Sequence, residues 1–171
     1  MQKKSEILGK LPIHPGDREH PQPHVLRVDG LVGRCLELTA ADLKGLPQRE
    51  LIDDFTCLEG WTVPKLNWRG VPLSAVLALA EMRAEARWVQ ASAGEFSIPI
   101  PIQDAAKVLL ATHLGPEALP NEHGGPMRLV VPALTALPVS SGWTTLSCGL
   151  RPEPIPAGQL LWGGYHPPSW E

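Results

Sequence analysis

The chain has 171 residues, 43% of them hydrophobic and 19% charged, and carries a formal net charge of −3. That length suits one domain with a real core, and with so small a charge and no basic run nothing points to a nucleic-acid surface. No apolar stretch approaches the roughly 18 residues of a membrane span.

Lys3 and Lys4 are not followed by the apolar run that a secretory signal needs, so the expectation is a cytoplasmic protein. The three cysteines, Cys35, Cys57 and Cys148, are far apart and odd in number, which argues against a disulfide framework. No Cys-x-x-Cys pair occurs, so a zinc site would need distant ligands such as His113 or His123. Nineteen prolines and sixteen glycines predict many turns and few long helices.

Residues 1–23 lack sustained periodicity and read as an extended N-terminal arm. Leu26 and Val28 alternate with polar neighbours, Asp29-Gly30 turns the chain, and Leu36 and Leu38 alternate again, a strand-turn-strand signal. Thr39 to Asp42 has the spacing of a capping box, and Gly45 stops the short helix it opens. Leu51 to Thr56 reads as a strand delivering Cys57 at its end. Pro72 suits the first turn of a helix in which Leu73, Val76, Leu77 and Ala80 share a face.

Arg87–Ala91 and Glu95–Ile100 read as strands around Gly94. Asp104 is expected to open a second helix, with Ala105, Val108, Leu109 and Thr112 on one face. Met127–Val131 reads as a buried strand and Trp143–Cys148 as the last one. Residues 151–171 hold five further prolines and read as a tail packed on the main unit, which spans residues 24–150. Hairpins and short helices without regular βα alternation predict an α+β fold with mixed sheets.

Two motifs carry the candidate chemistry. The first is Asp54-Phe55-Thr56-Cys57-Leu58-Glu59-Gly60-Trp61, followed by Trp68-Arg69-Gly70. The second is His123-Gly124-Gly125-Pro126-Met127-Arg128, leading into Leu129-Val130-Val131-Pro132. By itself Cys57 would be an ordinary buried cysteine. The second motif would be a tight turn before a strand, with Arg128 snorkelling and His123 solvated. As a site, it would offer two glycines whose N–H groups lie open to an approaching anion. Arg128 would fork onto a phosphate or a polar ring edge.

In this order the two motifs resemble the sulfite oxidase-type molybdopterin domain, over about Val25 to Pro132. The resemblance implies that fold and a molybdenum–molybdopterin cofactor, in which the metal takes two dithiolene sulfurs from the pterin. It implies that the Cys57 thiolate ligates molybdenum and is the catalytic residue. His123, Gly124 and Arg128 would hold the pterin, with Ser92 beside it. The implied activity is an oxidoreductase passing an oxygen atom to or from a small substrate such as sulfite or a sulfoxide. A separate electron-transfer partner would serve it. Trp68 and Gly70, also shared with the family, read as structural, and Cys35 and Cys148 as core or strand residues.

The chain also departs from the family pattern. Thr144 stands where a cofactor-neutralising lysine is usual, after an altered connection through Ala133 to Val139. The corresponding alternative is a degenerate member that keeps the fold and acts as a binding or structural module without cofactor. Lys65 and Arg69, near Cys57 in sequence, are the cations that could line a pocket for an anionic substrate.

Overall fold

A computed structural model of the chain describes residues 25–56, 62–93, 96–132 and 145–150. The expected arm 1–23, residue 24 and the tail 151–171 lie outside the described residues, as do Cys57, Gly60, Trp61 and Thr144.

Strand β1 (Leu26–Gly30) turns into β2 (Leu36–Leu38), which leads to the short helix α1 (Ala40–Lys44). The Thr39 N–H donates to Asp42 Oδ2 at 2.8 Å and the Asp42 N–H to Thr39 Oγ1 at 3.3 Å, so the capping box forms. Gly45 caps the other end. Strands β3 (Arg49–Thr56) and β4 (Thr62–Pro72) form a long antiparallel hairpin with Thr56 opposite Thr62. Pro72 closes β4 as the N-cap of α2 (Leu73–Leu79), one position earlier than expected.

Strands β5 (Trp88–Ala93) and β6 (Phe96–Pro101) pair antiparallel close to the expected bounds. The helix expected from Asp104 does not form. A single 3-10 turn (Ile102–Asp104) gives way to strand β7 (Leu109–Leu114). The two-residue β8 (Glu117–Ala118), β9 (Arg128–Val130) and β10 (Thr145–Gly149) complete the described strands.

These strands make two sheets. Sheet one runs β2-β1-β10-β5-β6, with β1 and β10 parallel and its other pairs antiparallel. Sheet two runs β3-β4-β7-β8, with β9 also paired to β7. The fold is the expected α+β arrangement of mixed sheets with short helices.

The larger core cluster contains Leu26, Val28, Val89, Ala91 and Leu146 of sheet one, Val76 and Leu77 of α2, and Val71, Leu110 and Leu129 of sheet two. A second cluster gathers Val63, Leu66, Trp68, Leu109, Ala111 and Leu119. On β7, therefore, Leu110 serves one cluster and its neighbours Leu109 and Ala111 the other. A strand buried on both faces reads as an unbroken apolar run, which periodicity cannot separate from a buried helix. That is why Val108 to Thr112 reads as helical in sequence.

Gly70 is required by this packing. A Cβ there would overlap the Leu110 carbonyl, and the β4–β7 register shifts beside it, between Arg69 and Gly70.

Candidate functional site

A 3-10 turn over Asn121–His123 ends at Gly124, which takes the left-handed conformation with φ +91°. The His123 N–H donates to the Pro120 carbonyl at 3.0 Å, the Gly124 N–H to Asn121 at 3.0 Å and the Gly125 N–H to Pro120 at 2.9 Å. The expectation that the two glycine amides lie open to an anion is thereby corrected, because both close the turn. Gly125 also lies so close to Leu119 that a Cβ would overlap its carbonyl oxygen. The glycines allow a tight turn in a buried place, and the side chains on either side remain as donors.

Those side chains are buried, not solvated. His123 is 2% exposed and Arg128 7%. Along β9 the side chains alternate, as a strand requires. Leu129 joins the main core, while Arg128 stands on the other face, registered with Ala111 and over the ring of Trp68. The guanidinium carbon is 5.6 Å from the centroid of that ring. Nη1 donates to the His123 carbonyl at 3.2 Å, which ties the strand back to the turn.

Burial pushes the Arg128 guanidinium down to about 10, so it stays charged at neutral pH. An enclosed cation favours an anion beside it, since each relieves the other's desolvation. A buried guanidinium tied to the backbone of a buried imidazole residue is a donor set that fits the phosphate or a polar edge of a pterin cofactor. Arg128 and His123 are the described residues that would hold it.

Other expected positions are elsewhere. On β5, Gln90 and Ser92 share one face, while Ala91 and Ala93 face the main core. The Ser92 hydroxyl lies 3.0 Å from that of Ser97, and Gln90 Nε2 donates to Ser97 at 2.5 Å. Ser92 thus sits on the outer face of sheet one, with the main core between it and the sheet that carries Arg128.

Trp68 and its cross-strand neighbour Leu114 pack in the second cluster, so Arg69 and its neighbour His113 point to the opposite face. Arg69 therefore adds no charge beside Arg128. Lys65 is exposed, and its backbone N–H donates to Asp54 Oδ1 at 2.9 Å. Cys148 is buried, and desolvation, helped by Asp29, pushes its thiol up to about 11. Cys35 is exposed in the connection after β1 and not in the core or a strand as expected. Among the described residues no group of three or more His, Cys, Asp and Glu side chains is placed to hold a metal ion.

Trp68 is structural, as expected, but its contact with Arg128 was not legible in the sequence. Its only signal was adjacency to Arg69-Gly70 in a family-like stretch, which does not say which distant side chain the indole meets.

Residues 12–140 match the family described as "Oxidoreductase molybdopterin binding domain". The chain belongs to this family, the molybdopterin-binding oxidoreductases of sulfite oxidase type. It is 33% identical over 128 residues to the "Uncharacterized oxidoreductase YuiH" of Bacillus subtilis (strain 168), a match covering 71% of this chain and 65% of that protein. It is 30% identical over 131 residues to the "Protein-methionine-sulfoxide reductase catalytic subunit MsrP" of Ralstonia nicotianae, covering 66% of this chain and 39% of that one. The chain thus spans less than two thirds of the length of these relatives. Among solved structures it is similar to the sulfane dehydrogenase SoxCD of Paracoccus pantotrophus. There the TM-score is 0.67 at 26% identity, over 75% of this chain and 39% of that one.

Proposed function

We propose that this chain is a molybdopterin-dependent oxidoreductase that moves an oxygen atom to or from a small substrate at a molybdenum centre ligated by Cys57. In this reading the unit that holds the cofactor is residues 24–150. The observation that carries the reading is the buried Arg128, bonded to His123 and lying inside the stretch matched to the family. When bound, the cofactor supplies a metal that exchanges two electrons and an oxygen atom with the substrate.

The chain's own residues set the surroundings. A Cys57 thiolate is a soft ligand suited to a sulfur-rich centre. Arg128 neutralises anionic groups on the pterin, and His123 both anchors Arg128 through its carbonyl and adds an imidazole. Ser92 takes no part in this reading, because its hydroxyl faces away from sheet two. Relatives named as methionine-sulfoxide reductases support a sulfoxide as the substrate. Reduction would consume two electrons and two protons and release the sulfide and water. A relative named as a catalytic subunit supports a separate partner that delivers those electrons.

The test is to express the chain in a host that makes the cofactor and to measure molybdenum and pterin in the purified protein. Cys57→Ser is expected to abolish molybdenum-dependent sulfoxide reduction in a folded protein, because an alkoxide replaces a soft thiolate poorly. Full turnover by this variant at full metal occupancy would sink the ligand assignment. A second reading, the degenerate module without cofactor, is favoured by Thr144 at the lysine position and by the two glycine amides already engaged in the turn. Wild type devoid of both molybdenum and pterin would decide for it.

A further inference from the structure

We infer that Trp68 is a positioning residue for the cofactor site, holding the Arg128 guanidinium against sheet two so that it meets the pterin in one orientation. The inference rests on the functional reading above and adds to it a residue from a different strand. Arg128 lies on β9 and Trp68 on β4, with β7 between them. The row across these strands is Arg128, Ala111 and Gly70. Its last two members have the smallest side chains available, so nothing bulky stands between the arginine and the indole two residues before Gly70.

Trp68 is 2% exposed and Arg128 7%, so the pair is shielded from water. A cation over an aromatic face gains most when both are desolvated. The contact at 5.6 Å and the hydrogen bond to the His123 carbonyl restrain the guanidinium from two sides. Arginine loses rotamer freedom when it binds an anion, and a side chain already held has less to lose. The ordinary alternative is that Trp68 only fills the second core cluster. That role needs volume and apolar surface, whereas positioning needs a ring face.

The two roles separate in variants that keep either the ring or only the bulk. Pterin released from purified holoprotein by denaturation is measured for wild type, Trp68→Phe, Trp68→Met, Arg128→Ala and the Trp68→Met/Arg128→Ala pair. Thermal unfolding of each cofactor-free form is followed alongside. Positioning predicts that Trp68→Phe keeps most of its pterin. Trp68→Met should bind it on the order of tenfold more weakly, beyond what its stability loss accounts for. The double variant should retain no less than Arg128→Ala alone, because the tryptophan acts through the arginine.

Pterin retention that follows thermal stability equally in the Phe and Met variants, or additive losses in the double variant, would overturn the inference. So would a wild-type Arg128 Nε–H resonance, assigned by its loss in Arg128→Lys, that shows no ring-current shift. That measurement serves even if the Trp68 variants fail to fold. Wild type without pterin would overturn the functional reading itself, and this inference with it, whereas wild type with pterin and an indifferent Trp68→Met overturns the inference alone.

Discussion

Arg128 is a charge enclosed by protein, and such a residue is expensive to keep unless something makes use of it. Arg128→Ala should lower cofactor retention by an amount corresponding to about 2–5 kcal/mol, because anionic groups lose their partner in a desolvated place. The melting temperature of the cofactor-free form should fall less, and pterin content after gel filtration is the measurement that checks it. His113 gives a second expectation at this scale. Burial first, then Arg69 and Lys44, hold its imidazole below the ordinary value of 6.5. The folded state therefore binds fewer protons than the unfolded chain. The stability that His113 contributes is fully present above 6.5 and is lost as the pH falls from there through the folded-state value. His113→Gln should flatten that part of the pH dependence, as read from urea unfolding at pH about 8 and about 5.

At the scale of elements, the turn 121–125 is the piece most exposed to a small change. Gly125→Ala would drive a methyl group into the Leu119 carbonyl. A loss of about 1–3 kcal/mol is expected, measured as a lower urea midpoint, with pterin retention falling as the His123 carbonyl moves away from Arg128. Elements whose signals are local were legible in sequence. The Thr39–Asp42 capping box, the Gly45 stop and the β5–β6 hairpin all depend on residues a few positions apart. Strand β7 was not legible, because a strand buried on both faces has no alternation to show. Of the site, His123 and Arg128 were legible as a motif beside its glycines. Their burial was not, nor was the use of the glycine amides within the turn, because both depend on which sheet face the turn is packed against.

Across the whole molecule, Leu110 is fully buried in the cluster shared by the two sheets and α2, whereas Ile52 on β3 is 64% exposed. Leu110→Ala should cost about 2–5 kcal/mol of unfolding free energy, while Ile52→Ala should stay within about 0.5 kcal/mol. Chemical denaturation of the cofactor-free protein distinguishes them. The same core separates Ser92 from Arg128, so the placement of one sheet against the other determines which polar residues share a site. No helix among the described residues is long and apolar enough to cross a membrane.

By itself the sequence determined the family, the order of the two motifs and most short elements, since each is written in residue types at fixed, short spacings. Only the tertiary structure decided which faces meet. Period-two alternation says that Trp68 and Arg69 point to opposite sides of β4. It does not say that the Trp68 side is the one Arg128 reaches from β9, 60 residues further along the chain. That meeting depends on the pairing of both strands with β7, on the register shift beside Gly70 and on the small side chain of Ala111 between them. Register and packing are properties of strands distant in sequence, and the energy that selects them appears only when both faces of the sheet are buried together.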